Sequence, residues 1–231
     1  MPSTTWMQRA VASEATARKI ELWRAVEAQH RATTLRLTDS IVEHELLEQL
    51  IDDAKPRTPP SAVGLDYLLA TPFRYPSPHG SRFRAPTDRG VWYGAIERRT
   101  ALAEVGYWRW RFARAAKLEI PSTPQTVLAA RVAGRATDLT RGTLAKHRRE
   151  WTLPDNYAPT QALRRVCDGQ SIELILYESV RDPEHKTCGA VLTPKAFATK
   201  RPTAQETWSL SVLTHRVVWT RGADTIEFRQ A

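Results

Sequence analysis

Residues Gly80 to Ala95 read G-S-R-F-R-A-P-T-D-R-G-V-W-Y-G-A, a bent, arginine-bearing segment that runs straight into a short extended one. Gly80, Pro86 and Gly90 turn the chain, and Arg82, Arg84 and Arg89 sit among them. Val91, Trp92 and Tyr93 then favour an extended backbone, so Val91 to Ala95 reads as a strand. Thr100 is placed to cap a helix in which Leu102, Val105, Trp108 and Phe112 fall on adjacent turns, with Glu104 in its first turns. This is a strand-to-helix unit whose entrance can hold an anion against a sheet.

Working outward from that unit, the following chain supplies short elements broken by turns. Val127 to Val132 and Ile172 to Tyr177 read as strands, and Thr143 to Arg149 and Thr160 to Val166 as short helices. Trp208 to Thr220 is rich in β-branched and aromatic residues, Arg221-Gly222 supplies a turn, and Thr225 to Phe228 returns as a hairpin. The preceding chain differs. Residues 6 to 30 contain neither Gly nor Pro and are rich in Ala, Glu, Arg and Leu, which favours helix. Ser40 with Glu43 has the form of a capping box, followed by an apolar face of Val42, Leu46, Leu47, Leu50 and Ile51, and Pro56, Pro59 and Pro60 end that helix. The expected organisation is a helical extension over residues 1–60, packed on the main domain or carrying a protein contact, self-association included, and an α+β domain over 61–231. That domain has a mixed or antiparallel sheet with flanking helices.

Composition narrows the function classes. The 231 residues, 42% of them hydrophobic, suffice for a sizeable core. No run approaches the roughly 18 apolar residues of a membrane span, and the first 30 residues lack a secretory apolar core, so the expected location is the cytoplasm. Cys167 and Cys188 are too few and too far apart for a disulfide framework or a closed zinc site, and the six histidines are dispersed; no metal is expected. G-x-G-x-x-G, Walker, H-E-x-x-H and G-x-S-x-G patterns are all missing. A net charge of +9 favours anionic partners, yet only Lys146 to Arg149 forms a compact basic patch, so direct nucleic-acid binding is the weaker reading.

Polar residues at the ends of elements carry the remaining chemistry: Arg82, Tyr93, Glu104, Ser179 and Arg181. An arginine binds phosphate through a planar fork, a tyrosine ring stacks on a flat heterocycle, and a carboxylate stabilises positive charge on a sugar ring. Together they suit a pyridine dinucleotide. Each also has a plain alternative: Arg82 and Arg181 as solvated surface residues, Tyr93 as a core aromatic, Glu104 as a partner of Arg98 or Arg99, and Ser179 as a turn former.

The segments T-P-F-R-Y-P-S-P-H-G-S-R-F-R, G-V-W-Y-G-A, T-A-L-A-E-V and L-I-L-Y-E-S-V-R-D-P resemble, in this order, the motifs of the RES family, over about residues 65 to 195. The resemblance implies a fold similar to that of ADP-ribosyltransferases and the role of toxin in a two-gene toxin–antitoxin system, paired with an Xre-type helix-turn-helix antitoxin. It further implies consumption of NAD as substrate by hydrolysis or phosphorolysis, with ADP-ribosyl transfer to a protein as the alternative. On this match Arg82 holds phosphate or ribose, Tyr93 lies against nicotinamide, Glu104 stabilises the charged ribose, and Ser179 orients the substrate. Arg74 and Arg181 are further candidates for dinucleotide contacts. Ser81 and Arg84 depart from the glycine and asparagine usual in the turn, and Tyr177-Glu178 stands where a proline often precedes the serine.

Overall fold

The longest strand, β3 (Ile120–Asp138), organises the molecule, a computed structural model that describes residues 4–28, 38–75 and 78–230. Gln125 to Ala130 of β3 are all buried, so both of its faces are covered. One edge pairs antiparallel with β1 (Thr16–Glu27), from Thr16 opposite Ala136 to Glu27 opposite Gln125. The other edge is shared. β6 (Ala204–Leu213) runs antiparallel along the first part of β3, and β4 (Leu174–Glu178) runs parallel to its end. β4 pairs with β5 (Thr187–Val191), β5 with β2 (Trp92–Ala95), and β2 returns to β1 where Ala95 faces Trp23. β3, β4, β5, β2 and β1 form a closed circuit of pairings, and β7 (Arg216–Arg221) and β8 (Asp224–Arg229) extend the sheet beyond β6. The result is an α+β fold with an eight-stranded, mostly antiparallel sheet, as its alternating turn and strand signals imply.

Residues 1–60 are not a helical extension. Helix α1 (Thr4–Glu14) stops at Glu14, whose carboxylate accepts from the Thr143 N–H at 2.8 Å, and the chain then enters the sheet as β1. The pairing of β1 with β3 buries Leu22 and Ala25, and that packing outweighs a helix propensity worth only tenths of a kcal/mol per residue. Helix α2 (Ile41–Ala54) is capped as expected. The Glu43 N–H donates to Ser40 Oγ at 3.2 Å, and the Glu43 carboxylate accepts from the Asp39 N–H at 3.0 Å.

Helix α3 (Tyr67–Arg74) begins with Asp66 accepting from the Leu68 N–H, and the Trp92 indole N–H donates to the Leu68 carbonyl at 3.2 Å, tying α3 to β2. Helix α4 (Arg98–Ala116) follows β2 directly, but its N-cap is Glu97. Thr100 lies within the helix, buried, and donates to Asp182 at 2.7 Å. Its buried stripe is Thr100, Ala101, Leu102, Ala103, Gly106, Trp110 and Ala113, whereas Trp108 and Phe112 face outward. A Cβ at Gly106 would meet the Val217 side chain at 2.8 Å, so the small residues let α4 lie close on β7. Two short helices, α5 (Gly142–Ala145) and α6 (Arg148–Trp151), lead into α7 (Ala158–Gly169). At the C-terminal end the expected first arm of the hairpin is split at Thr214 and His215 into β6 and β7, while Gly222, at φ +56°, makes the expected turn into β8. Both cysteines are buried thiols, and among the described residues no helix is long and apolar enough to cross a membrane.

Candidate active site

A cavity of about 370 Å³, within the size range of small-molecule pockets, opens where β1, β2, β5, α4 and the arginine turn meet. The turn is closed by reciprocal backbone bonds between Ser81 and Arg84. From β2, the Tyr93 hydroxyl reaches across to it, bonding to Ser81 Oγ at 2.8 Å and accepting from the Phe83 N–H at 3.0 Å. With its hydroxyl so occupied, the Tyr93 ring is fixed as a wall of the cavity, and burial raises its phenol above the ordinary tyrosine value.

Arg82 lines the cavity but is itself nearly buried, 9% exposed. Its Nη1 donates to the carbonyls of Trp151 at 2.7 Å and Leu153 at 3.1 Å, and its guanidinium lies 5.1 Å from the centre of the Tyr157 ring. Arg84 serves the turn instead, donating to the carbonyls of His79, Ala85 and Pro86. α7 braces the same turn from behind: Gln161 donates to the carbonyls of Ser81 and Arg84, and Thr160 to that of Arg82.

Glu104 projects from α4 into the cavity wall, and its carboxylate accepts from the Ser179 hydroxyl at 2.6 Å. Ser179 is fully buried in the turn after β4, where its Oγ in turn accepts from the N–H groups of Arg181 at 3.2 Å and Asp182 at 3.0 Å. Ser179 therefore holds Glu104 from behind the cavity wall. Burial raises the Glu104 carboxyl above the usual carboxylate range, opposed by the Ser179 bond and the charges of Arg82 and Arg181. The Arg181 guanidinium lies over Tyr107, 3.8 Å from the ring centre, and donates to the Pro154 carbonyl at 2.6 Å.

Arg82, Tyr93, Glu104 and Arg181 thus line one cavity, with Ser179 directly behind. Arg74 does not join them. It ends α3, and its Nε donates to the Pro56 carbonyl at 2.6 Å. The sequence reading missed Arg24, which enters the cavity from β1 and donates to the Tyr93 carbonyl at 3.2 Å. Its Nε is buried without a hydrogen-bond partner, and burial lowers its guanidinium to about 10, still a cation at neutral pH. The signal for it lay in Ile20, Trp23 and Val26, β-branched and aromatic residues in a segment read as helix.

Three cations, a fixed aromatic wall and one carboxylate around a single pocket can bind an anionic, ring-bearing molecule and stabilise positive charge developing on it. A search among curated proteins finds no match. Among solved structures, a chain of the M. tuberculosis MbcT-MbcA toxin-antitoxin complex is similar over 89% of this chain and 92% of its own, with a TM-score of 0.52. At 12% identity that likeness is one of fold. The sequence model of the RES domain matches residues 58–212, about two thirds of the chain, and takes in the arginine turn, Tyr93, Glu104 and Ser179: the chain belongs to the RES domain family.

Proposed function

We propose that this chain is the toxin of a toxin–antitoxin pair and that it consumes NAD by cleaving the bond between nicotinamide and ribose, on a scaffold related to the ADP-ribosyltransferases. The observation that carries the reading is the Glu104–Ser179 pair: a carboxylate held at 2.6 Å by a buried hydroxyl, in the wall of a cavity that three arginines and several aromatic rings also line. Arg82, Arg24 and Arg181 supply charge for the phosphates, and the Tyr93 ring a flat surface for nicotinamide. As the glycosidic C–N bond breaks, its electron pair leaves with nicotinamide, which departs neutral. The ribose carbon is left electron-poor, and Glu104 stabilises that charge. Water then adds and loses a proton to give ADP-ribose, or phosphate adds to give the ribosyl phosphate.

An Xre-type helix-turn-helix antitoxin is the proposed partner. The family membership and the likeness to a chain solved within a toxin-antitoxin complex support it. The direct test is incubation of the purified chain with NAD, followed by chromatography with and without phosphate. The expected result is nicotinamide released in step with ADP-ribose or its phosphate. NAD recovered intact from a folded preparation would overturn the catalytic reading.

A further inference from the structure

Helix α2 stands apart from the rest of the fold. Ile41 and Val42 are 74% and 75% exposed, Leu46 and Leu50 more than half, and α2 makes at most marginal contact with any other helix or strand among the described residues. It is nonetheless capped and amphipathic, with Val42, Leu46 and Leu50 at successive turns of one face. An apolar stripe this long on a surface helix marks a face that something covers.

The charge of α2 points to the occupant. The helix holds Glu43, Glu45, Glu48, Asp52 and Asp53 and neither Lys nor Arg, a formal −5 within a chain of net +9. The remainder of the chain therefore carries a formal +14, five more than the whole. A complementary face exists on the same molecule. On α4, Trp108 and Phe112 are 44% and 57% exposed, and with Ala115 they fall at i, i+4 and i+7. From Val105 to Ala116 that helix has no acidic residue, and Arg109, Arg111 and Arg114 flank the stripe, Arg109 shared with Glu27 at 2.5 Å and Arg111 with Asp155 at 2.6 Å.

We propose that α2 of one protomer docks on α4 of a second copy of this chain, and reciprocally, to form a two-fold dimer. The two stripes match in length, about two turns each, and in charge, an acidic helix against a stretch of α4 whose own residues are all neutral or basic. A single pair of helices buries less than a stable interface needs, and two-fold symmetry doubles the contact. Trp108 lines the rim of the cavity, so α2 of each protomer lies beside the cavity mouth of the other.

The test is the mass in solution, which does not depend on NAD turnover. Sedimentation of the purified full chain at tens of micromolar should give a dimer that weakens with added salt. L46D/L50D on α2 and F112D on α4 should each shift it to monomer, with at least a tenfold rise in dissociation constant. Both changes lie at exposed positions outside the cavity, and circular dichroism unchanged from the parent checks that the fold survives. An equimolar mixture of the two variants keeps one intact α2–α4 contact per pair and should associate more than either variant alone, yet far more weakly than the parent. A monomeric parent, including one that assembles only with another protein, overturns the proposal. So does a dimer indifferent to L46D/L50D, or one broken by the α2 changes and untouched by F112D.

Discussion

Glu104 sets function against stability at the scale of one side chain. Its carboxyl is raised by burial, so the protonated form favours the fold, and that contribution is lost as pH rises through its folded value. Catalysis in the proposed reaction needs the carboxylate. Glu104→Gln, a neutral isostere, should therefore retain NAD binding, lower turnover by about 100-fold or more, and melt above the parent at neutral pH. The gap in melting temperature should close as pH falls toward that of an ordinary carboxyl, and equal melting curves at neutral pH would contradict the assigned cost of burial. Ser179 gives a second readout. Its hydroxyl favours the ionised form of Glu104, so Ser179→Ala should move the acid limb of the pH–rate profile upward, whereas loss of mere packing would lower the rate without moving the limb. Arg82 does two things at once. Arg82→Ala should weaken NAD binding and also cost about 1–3 kcal/mol of stability, since the carbonyls of Trp151 and Leu153 lose their donor. Unchanged denaturant midpoints would rule out that bracing role.

The elements show where close approach was encoded and where it was hidden. A Cβ at Gly90 would lie 1.8 Å from the Pro72 carbonyl oxygen, so Gly90→Ala must push α3 off the arginine turn and should cost about 3 kcal/mol or more. Gly169, at the end of α7, has nothing within 4 Å of that position, and Gly169→Ala should be neutral or stabilising by up to about 1 kcal/mol. Urea denaturation of the pair checks both. The β2–α4 unit was legible because Val91 to Tyr93 and the helix after Glu97 carry strong local signals, and the turn into β8 because Gly222 sits where a left-handed residue is required. The phase of α4 was not. Beside Leu102 and Trp110, its buried stripe is built of Ala101, Ala103, Gly106 and Ala113, too small to register as apolar, while the bulky Trp108 and Phe112 face outward. β1 was hidden for a different reason. Ile20, Trp23 and Val26 favour a strand only weakly among helix-forming neighbours, and the strand state is fixed by pairing with residues 98 to 120 positions away. Arg24 was lost with it, and with Arg24 a third of the cationic lining.

At the scale of the whole molecule, the proposed chemistry has a cellular consequence. An enzyme that destroys NAD depletes a metabolite its host requires, so the chain must be restrained, and a protein of net +9 is restrained most readily by an acidic surface. The cavity mouth offers the place, because a partner that inserts acidic side chains toward Arg82, Arg24 and Arg181 satisfies the same cations that the substrate phosphates use. Induced expression of the parent should therefore arrest growth with a fall in cellular NAD, and Glu104→Gln, expressed at the same level, should do neither. Co-expression of a helix-turn-helix protein encoded beside this chain should restore growth and give a co-purifying complex without NAD turnover, weakened by salt as an electrostatic contact demands. Arrest that persists in Glu104→Gln would locate the toxicity outside the cavity. Harmless expression of a folded, NAD-cleaving parent would separate the two halves of the reading, leaving the chemistry in place and removing the toxin.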